Sequence, residues 1–117
     1  MTRTKYGNRK RVVDGHIFDS EKEARRYQEL KLLVAAGEIS MLELQPRFVL
    51  LEAFTERGRG YCKRHQAITY TADFQYDDGA TLDVIVEDVK GVKTAVYNIK
   101  KKLFIQRYPQ IVFREVR

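Results

Sequence analysis

Apolar positions recur with two different periods along this chain, and each change of period marks an element. Arg11-Val12-Val13 and His16-Ile17-Phe18 flank Asp14-Gly15, a pair that accepts the positive φ angles of a tight turn, so a short hairpin is expected. From Ser20 the spacing becomes helical: Ala24, Tyr27, Leu30, Leu32-Leu33 and Val34 recur every three or four residues up to Ala36, and Gly37 stops the run. Asp19 or Ser20 caps this helix, and Glu23 stands three residues after Ser20, as in a capping box. Residues 42–54 read as a strand pair or one long bent strand, interrupted at Gln45-Pro46, because a proline without an N–H belongs at a strand start or an edge. Residues 55–66 are polar, basic and glycine-bearing, and are expected to form a loop.

The next segment alternates strictly. Tyr70, Ala72, Phe74 and Tyr76 share one strand face and Thr71, Asp73 and Gln75 the other; the turn Asp77-Asp78-Gly79 then leads into a partner strand from Thr81 to Lys90. On that strand Leu82, Val84, Val86, Asp88 and Lys90 share a face, which is apolar until its end. Thr94 caps a second helix that Pro109 stops after about Tyr108, with Val96, Ile99, Leu103, Phe104 and Tyr108 as its expected apolar face. Residues 111–116 alternate as a last strand. The order β-β-α-β-β-β-α-β describes a single α/β domain over residues 11–117, behind a flexible basic arm at residues 1–10.

Charge adds a partner to this picture. The 117 residues carry 22 Lys and Arg against 16 Asp and Glu, a formal charge of +6, which favours a polyanion such as DNA. Cys62 is the single cysteine, so no internal disulfide forms, in keeping with a reducing cytoplasm. No apolar run approaches the roughly 20 residues of a membrane span, and no apolar stretch follows the basic N-terminus, so neither a membrane partner nor a signal peptide is expected. Cys62-x-x-His65 lacks the further ligands of a structural zinc site, because His16 is the only other histidine and there is no second cysteine.

The chemistry concentrates at the strand pair. Asp73 on one strand and Asp88-Val89-Lys90 at the end of the next bring two acids and a lysine to adjacent strand ends, the groups that phosphodiester hydrolysis needs. Acids of this kind hold Mg²⁺, and a lysine steadies the attacking water or the developing phosphate charge. Glu87 competes with Asp88, although only Asp88 shares the face of Lys90 unless a bulge intervenes. Upstream, Glu21 and Glu23 compete at the helix start; about 200° of helical rotation separates them, so only one faces the sheet.

Phe18-Asp19-Ser20-x-x-Glu23-Ala24-Arg25-Arg26-Tyr27, Glu43-Leu44-Gln45-Pro46, Tyr70-x-Ala72-Asp73-Phe74 and Val86-Glu87-Asp88-Val89-Lys90-Gly91 together resemble small phage-type PD-(D/E)XK endonucleases, relatives of archaeal-type Holliday junction resolvases and TnsA-like nucleases. The resemblance runs from residue 5 to 116, with Ala72 where the superfamily name has proline. It implies a restriction-endonuclease-like core, a central mixed β-sheet flanked by helices. It also implies a Mg²⁺ site (Mn²⁺ substituting) of Glu23, Asp73 and Asp88, with Lys90 as the catalytic lysine and Gln45 near the metal or a phosphate. The activity implied is an endodeoxyribonuclease on branched DNA in the manner of a resolvase, working in the cytoplasm, that of the host if phage-encoded. Paired nicks imply a two-fold homodimer, for which Phe48, Leu50 and Phe54 offer either an apolar interface strip or simply part of the core. A duplex nickase or restriction-like cutter, and a silent nucleic-acid-binding module, are the alternatives. Arg25, Arg26, Arg57, Arg59, Lys63, Arg64, Lys100 and Lys101 are the expected phosphate contacts.

Overall fold

A computed structural model of the chain describes residues 9–90 and 93–117. The basic arm expected at residues 1–10 falls almost wholly outside them, as does Gly91. In chain order the elements are β1 (Arg11–Val13), β2 (His16–Phe18), α1 (Glu21–Ala35), β3 (Ile39–Leu44), β4 (Arg47–Leu51), β5 (Phe54–Gly58), β6 (Tyr61–His65), β7 (Ile68–Thr71), β8 (Phe74–Asp78), β9 (Val84–Val89), α2 (Ala95–Arg107) and β10 (Val112–Val116).

Four strands form a mixed sheet in the order β10-β9-β8-β3. β8 runs antiparallel to both β3 and β9, whereas β10 lies parallel to β9 because α2 carries the chain back across the sheet. Adjacent residues of β9 enter different cores. Ile85 packs with Phe18, Ala24, Tyr27, Leu30, Phe74 and Tyr76 under α1. Val86 packs with Leu50, Tyr70, Ala72, Tyr97 and Phe104 under α2. Strand alternation thus gives β9 one face per helix, and helices cover both faces of the sheet.

Local chemistry explains the helix ends. Ser20 Oγ accepts the Glu23 N–H at the start of α1. Gly37, at φ +76°, lets the chain leave the helix while Gly37 and Glu38 donate back to Val34 and Leu33. Thr94 caps α2 in the same way, through the Tyr97 N–H.

Between β3 and β8 the chain makes a long excursion. β4 pairs with β7 and, nested inside them, β5 pairs with β6, so residues 47–71 form an antiparallel ribbon. Its base packs against α2, and its outer half, β5–β6, packs almost entirely on itself.

Several expectations change. Residues 55–66 are not a loop but mostly a hairpin turning at Arg59-Gly60, its glycine at φ +74°. The segment 70–76 is not one strand: it breaks at Ala72-Asp73, where Tyr70 and Ala72 serve the α2 core and Phe74 and Tyr76 the α1 core. Burial alternates through the break, so periodicity alone could not reveal the change of partner. Asp77 and Asp78 belong to β8, and the turn follows them, held by Asp78 Oδ1 accepting from the Ala80 and Thr81 N–H groups. Leu82 sits in that connection at positive φ and is 83% exposed, not on the apolar face of β9. On α2, Val96 and Ile99 are exposed, and Tyr97 with Phe104 forms the buried face instead. Phe48 and Leu50 are not an external strip: Leu50 is core and Phe48 packs on Phe104 and Tyr108, leaving only Phe54 exposed.

Candidate functional site

Asp73 sits in the bend between β7 and β8, where the ribbon rejoins the main sheet. Two hydrogen bonds clamp the junction: Gln45 N–H to the Asp73 carbonyl (2.9 Å) and Ala72 N–H to the Pro46 carbonyl (3.0 Å). Gln45 is held there at φ +51°, a left-handed conformation that costs a non-glycine residue of order 1 kcal/mol. Pro46, buried, stands where no N–H is required. The Asp73 carboxylate accepts the Val89 N–H of β9 at 2.6 Å, fixing it beside the end of that strand.

Asp88 is 2% exposed on the α2 face of β9. Its Oδ2 accepts the Tyr70 hydroxyl proton. Its Oδ1 lies 2.8 Å from Lys90 Nζ, a close charge pair, but makes no directed hydrogen bond. Lys90 Nζ also lies 4.1 Å above the centre of the Tyr97 ring. Tyr97 in turn donates to Glu115 on β10 (2.7 Å), which takes Lys101 (3.0 Å) and Lys93 (3.3 Å) as well. Those hydrogen bonds, Tyr97 first, hold the Glu115 carboxyl down at about 2.

Glu23 reaches the same place from the first turn of α1. It is 7% exposed, and its carboxyl comes close enough to Asp73 and Asp88 for the three acids to perturb one another. Burial, the nearby Asp19 and then Asp88 raise its pKa. Burial, then the Glu23 and Asp88 carboxylates, push Asp73 up to about 8 against the pull of the Val89 N–H and Lys90. Without a cation, the cluster relieves its own repulsion by keeping a proton. Glu23, Gln45 and Asp73 line one pocket of about 290 Å³ together with His16, Phe18 and Leu44.

The competing acids separate cleanly. Glu21 is exposed and pairs with Arg11. Glu87, fully buried on the α1 face, takes a two-pronged contact from Arg26 (2.8 and 2.7 Å) and the Tyr76 hydroxyl. Both of its oxygens are satisfied within the protein, and it faces away from Lys90.

A match over residues 3–116 joins the chain to the family described as "Protein of unknown function (DUF1064)". The chain belongs to the DUF1064 family. No curated protein and no solved structure matches it.

In this DUF1064 chain the carboxyls are gathered but not spread around a vacant point: among the described residues no three His, Cys, Asp or Glu side chains stand ready to hold a metal ion. The donor set nonetheless suits a hard divalent cation. Its members are carboxylate oxygens, buried in Glu23 and Asp88 and half-buried in Asp73, and one of them, Asp88 Oδ1, lacks a hydrogen bond.

The expected phosphate contacts divide. Arg26 is instead committed to Glu87, and Lys101 is tied to Glu115. Arg25 is exposed on α1 and Lys100 half-exposed on α2, while Arg57, Arg59, Lys63 and Arg64 are exposed on the outer hairpin. His65 is bound to Glu56 (2.7 Å) and stacked on Phe54, which gives it a place in the hairpin and not in the carboxylate cluster. Sequence reasoning missed His16 as a pocket wall and Tyr70 as the partner of Asp88. Tyr70 is separated from Asp88 by 18 residues and reads in the sequence only as core. Among the described residues no helix is long and apolar enough to cross a membrane.

Proposed function

We propose that this DUF1064 protein is a divalent-metal-dependent endodeoxyribonuclease with a restriction-endonuclease-like core. One observation carries the reading: Glu23, Asp73 and Asp88 converge from a helix start, a chain bend and a strand end, with Lys90 2.8 Å from Asp88. The succession α1, β3, β8, β9, α2, β10 supports it, because it seats this cluster where the β9 chain leaves the sheet.

Glu23, Asp73 and Asp88 would hold Mg²⁺ or Mn²⁺. A cation bound there supplies charge neutralisation at a scissile phosphate and acidity to water. Lys90, steered by Asp88 and the Tyr97 ring, presents its ammonium to the same phosphate or to the attacking water. Gln45, fixed by its strained backbone in the wall of the Glu23–Asp73 pocket, orients that water or a phosphate oxygen. The substrate in this reading is branched DNA, cut by a homodimer that uses a surface other than Phe48 and Leu50. A non-catalytic DNA-binding module is the second reading, favoured by the lack of a ready metal arrangement among the described residues.

The test compares cleavage of a four-way junction, a flap and a linear duplex with Mg²⁺ or Mn²⁺ at fixed salt. We expect the junction to be cut fastest, and Asp73→Ala and Lys90→Ala each to lose roughly 100-fold or more in rate while still binding DNA. Equal rates on the three substrates would make it a duplex cutter. No cleavage of any of them would leave the binding module.

A further inference from the structure

The outer hairpin β5–β6 has a construction that the carboxylate cluster does not explain. Its register places Phe54 opposite His65, Glu56 opposite Lys63 and Gly58 opposite Tyr61, so these six residues share one face. That face is braced. His65 stacks on Phe54 at 4.7 Å, and Glu56 accepts from Tyr61 (2.8 Å) and bonds His65 (2.7 Å). The Tyr61 ring lies directly on Gly58, where an added Cβ would stand 2.0 Å from it. The other face carries Thr55, Arg57, Cys62 and Arg64, with Arg59 at the turn. It holds no carboxylate, and among the described residues Arg57, Arg59 and Arg64 form no salt bridge.

A two-stranded ribbon stiffened by its own side chains, standing off the body, with three arginines on its opposite face and tip, is complementary to a groove of negative charge. B-DNA's major groove, about 12 Å wide, admits such a ribbon, whereas the major groove of duplex RNA is too narrow for side chains to read. We infer that β5–β6 is a DNA-engaging finger that inserts into the major groove of duplex DNA, with Arg57, Arg59 and Arg64 on the phosphates. The inference rests on the proposed DNA substrate but not on catalysis. The finger belongs to a ribbon whose base rejoins the sheet at Gln45 and at Asp73, one of the three clustered acids. Its engagement would fix how far from the groove contact the scissile phosphate lies.

The experiment measures binding of fluorescent 20-base-pair DNA and of RNA of the same sequence, in EDTA to prevent cleavage, across a salt series. The proteins are the wild type, Arg57→Ala/Arg59→Ala/Arg64→Ala, and the triple Lys variant. Losing three phosphate contacts is expected to reduce the slope of log K against log salt by roughly 2 to 3 and to weaken DNA binding by roughly 10- to 100-fold at low salt. The Lys variant should keep the slope, and duplex RNA should lose little. Unchanged DNA affinity and slope in the Ala variant would overturn the finger, as would an equal loss on duplex RNA or a wild type that binds no DNA. Because the readout needs no cleavage, a protein that binds through this hairpin but cuts nothing would sink the nuclease reading and leave the finger standing.

Discussion

Glu87 and Asp88 are consecutive on β9, both acidic and both buried, yet the sheet sends them to opposite environments. Glu87, on the α1 face, meets a guanidinium and a phenol that satisfy it completely. Asp88, on the α2 face, meets Tyr70 on one oxygen and only a charge partner on the other, with Asp73 and Glu23 nearby as like charges. One acid is hydrogen-bonded on both oxygens, and the other keeps one buried oxygen without a hydrogen bond. A buried carboxylate with every lone pair matched serves stability, whereas a cluster that repels itself favours a ligand.

The comparison breaks most sharply at Glu87. Removing it strands Arg26 and the Tyr76 hydroxyl, so Glu87→Ala is expected to cost roughly 3–5 kcal/mol in urea denaturation, the typical penalty for halving a buried ion pair. Asp88→Asn should spare stability and affect cleavage instead. It keeps a partner for Tyr70 and removes one repelling charge, so stability should shift by less than about 1 kcal/mol, while metal-dependent cleavage should fall roughly 100-fold or more. If both variants lost stability alike, the two faces would not differ in role.

The smallest effect concerns pH. Burial and the Glu23 and Asp88 carboxylates push Asp73 up to about 8 from an ordinary 3.8, so between these values the folded cluster holds a proton that the unfolded state has released. Stability of the metal-free protein should therefore fall as pH rises from about 4 to 8, by at least about 1.4 kcal/mol, the equivalent of one pKa unit. Asp73→Asn should flatten this dependence, and Mg²⁺ should raise the melting temperature more at pH 8 than at pH 5, both read by thermal scans. A melting temperature that rises with pH over this window in the metal-free protein would contradict the shared proton.

Local signals carried much of this. Period-2 alternation put Asp88 with Lys90 and Glu87 on the opposite side, and the helical step showed that only one of Glu21 and Glu23 can face the sheet without saying which. The caps at Ser20 and Thr94 were legible because they depend on a few neighbouring residues. The outer hairpin was not, because Thr55, Glu56, Arg57, Lys63 and Arg64 give no apolar alternation for a strand that packs on no core. The partners of the buried groups were equally hidden. Arg26 reads as one basic residue among several until α1 lies over β9, and Tyr70 reads as core until its hydroxyl meets Asp88.

Outside the outer hairpin and the connection at Leu82, the sequence by itself determined the element types, the face most strand residues take and the charge available, since those follow from backbone period and composition. Only the tertiary structure decided that the chain breaks at Asp73, that Gln45 is held in a left-handed conformation, and that Glu23 joins acids 50 and 65 residues away. Those are consequences of non-local pairing, where one hydrogen bond across the sheet, such as Val89 to Asp73, fixes a side chain that local propensity leaves free.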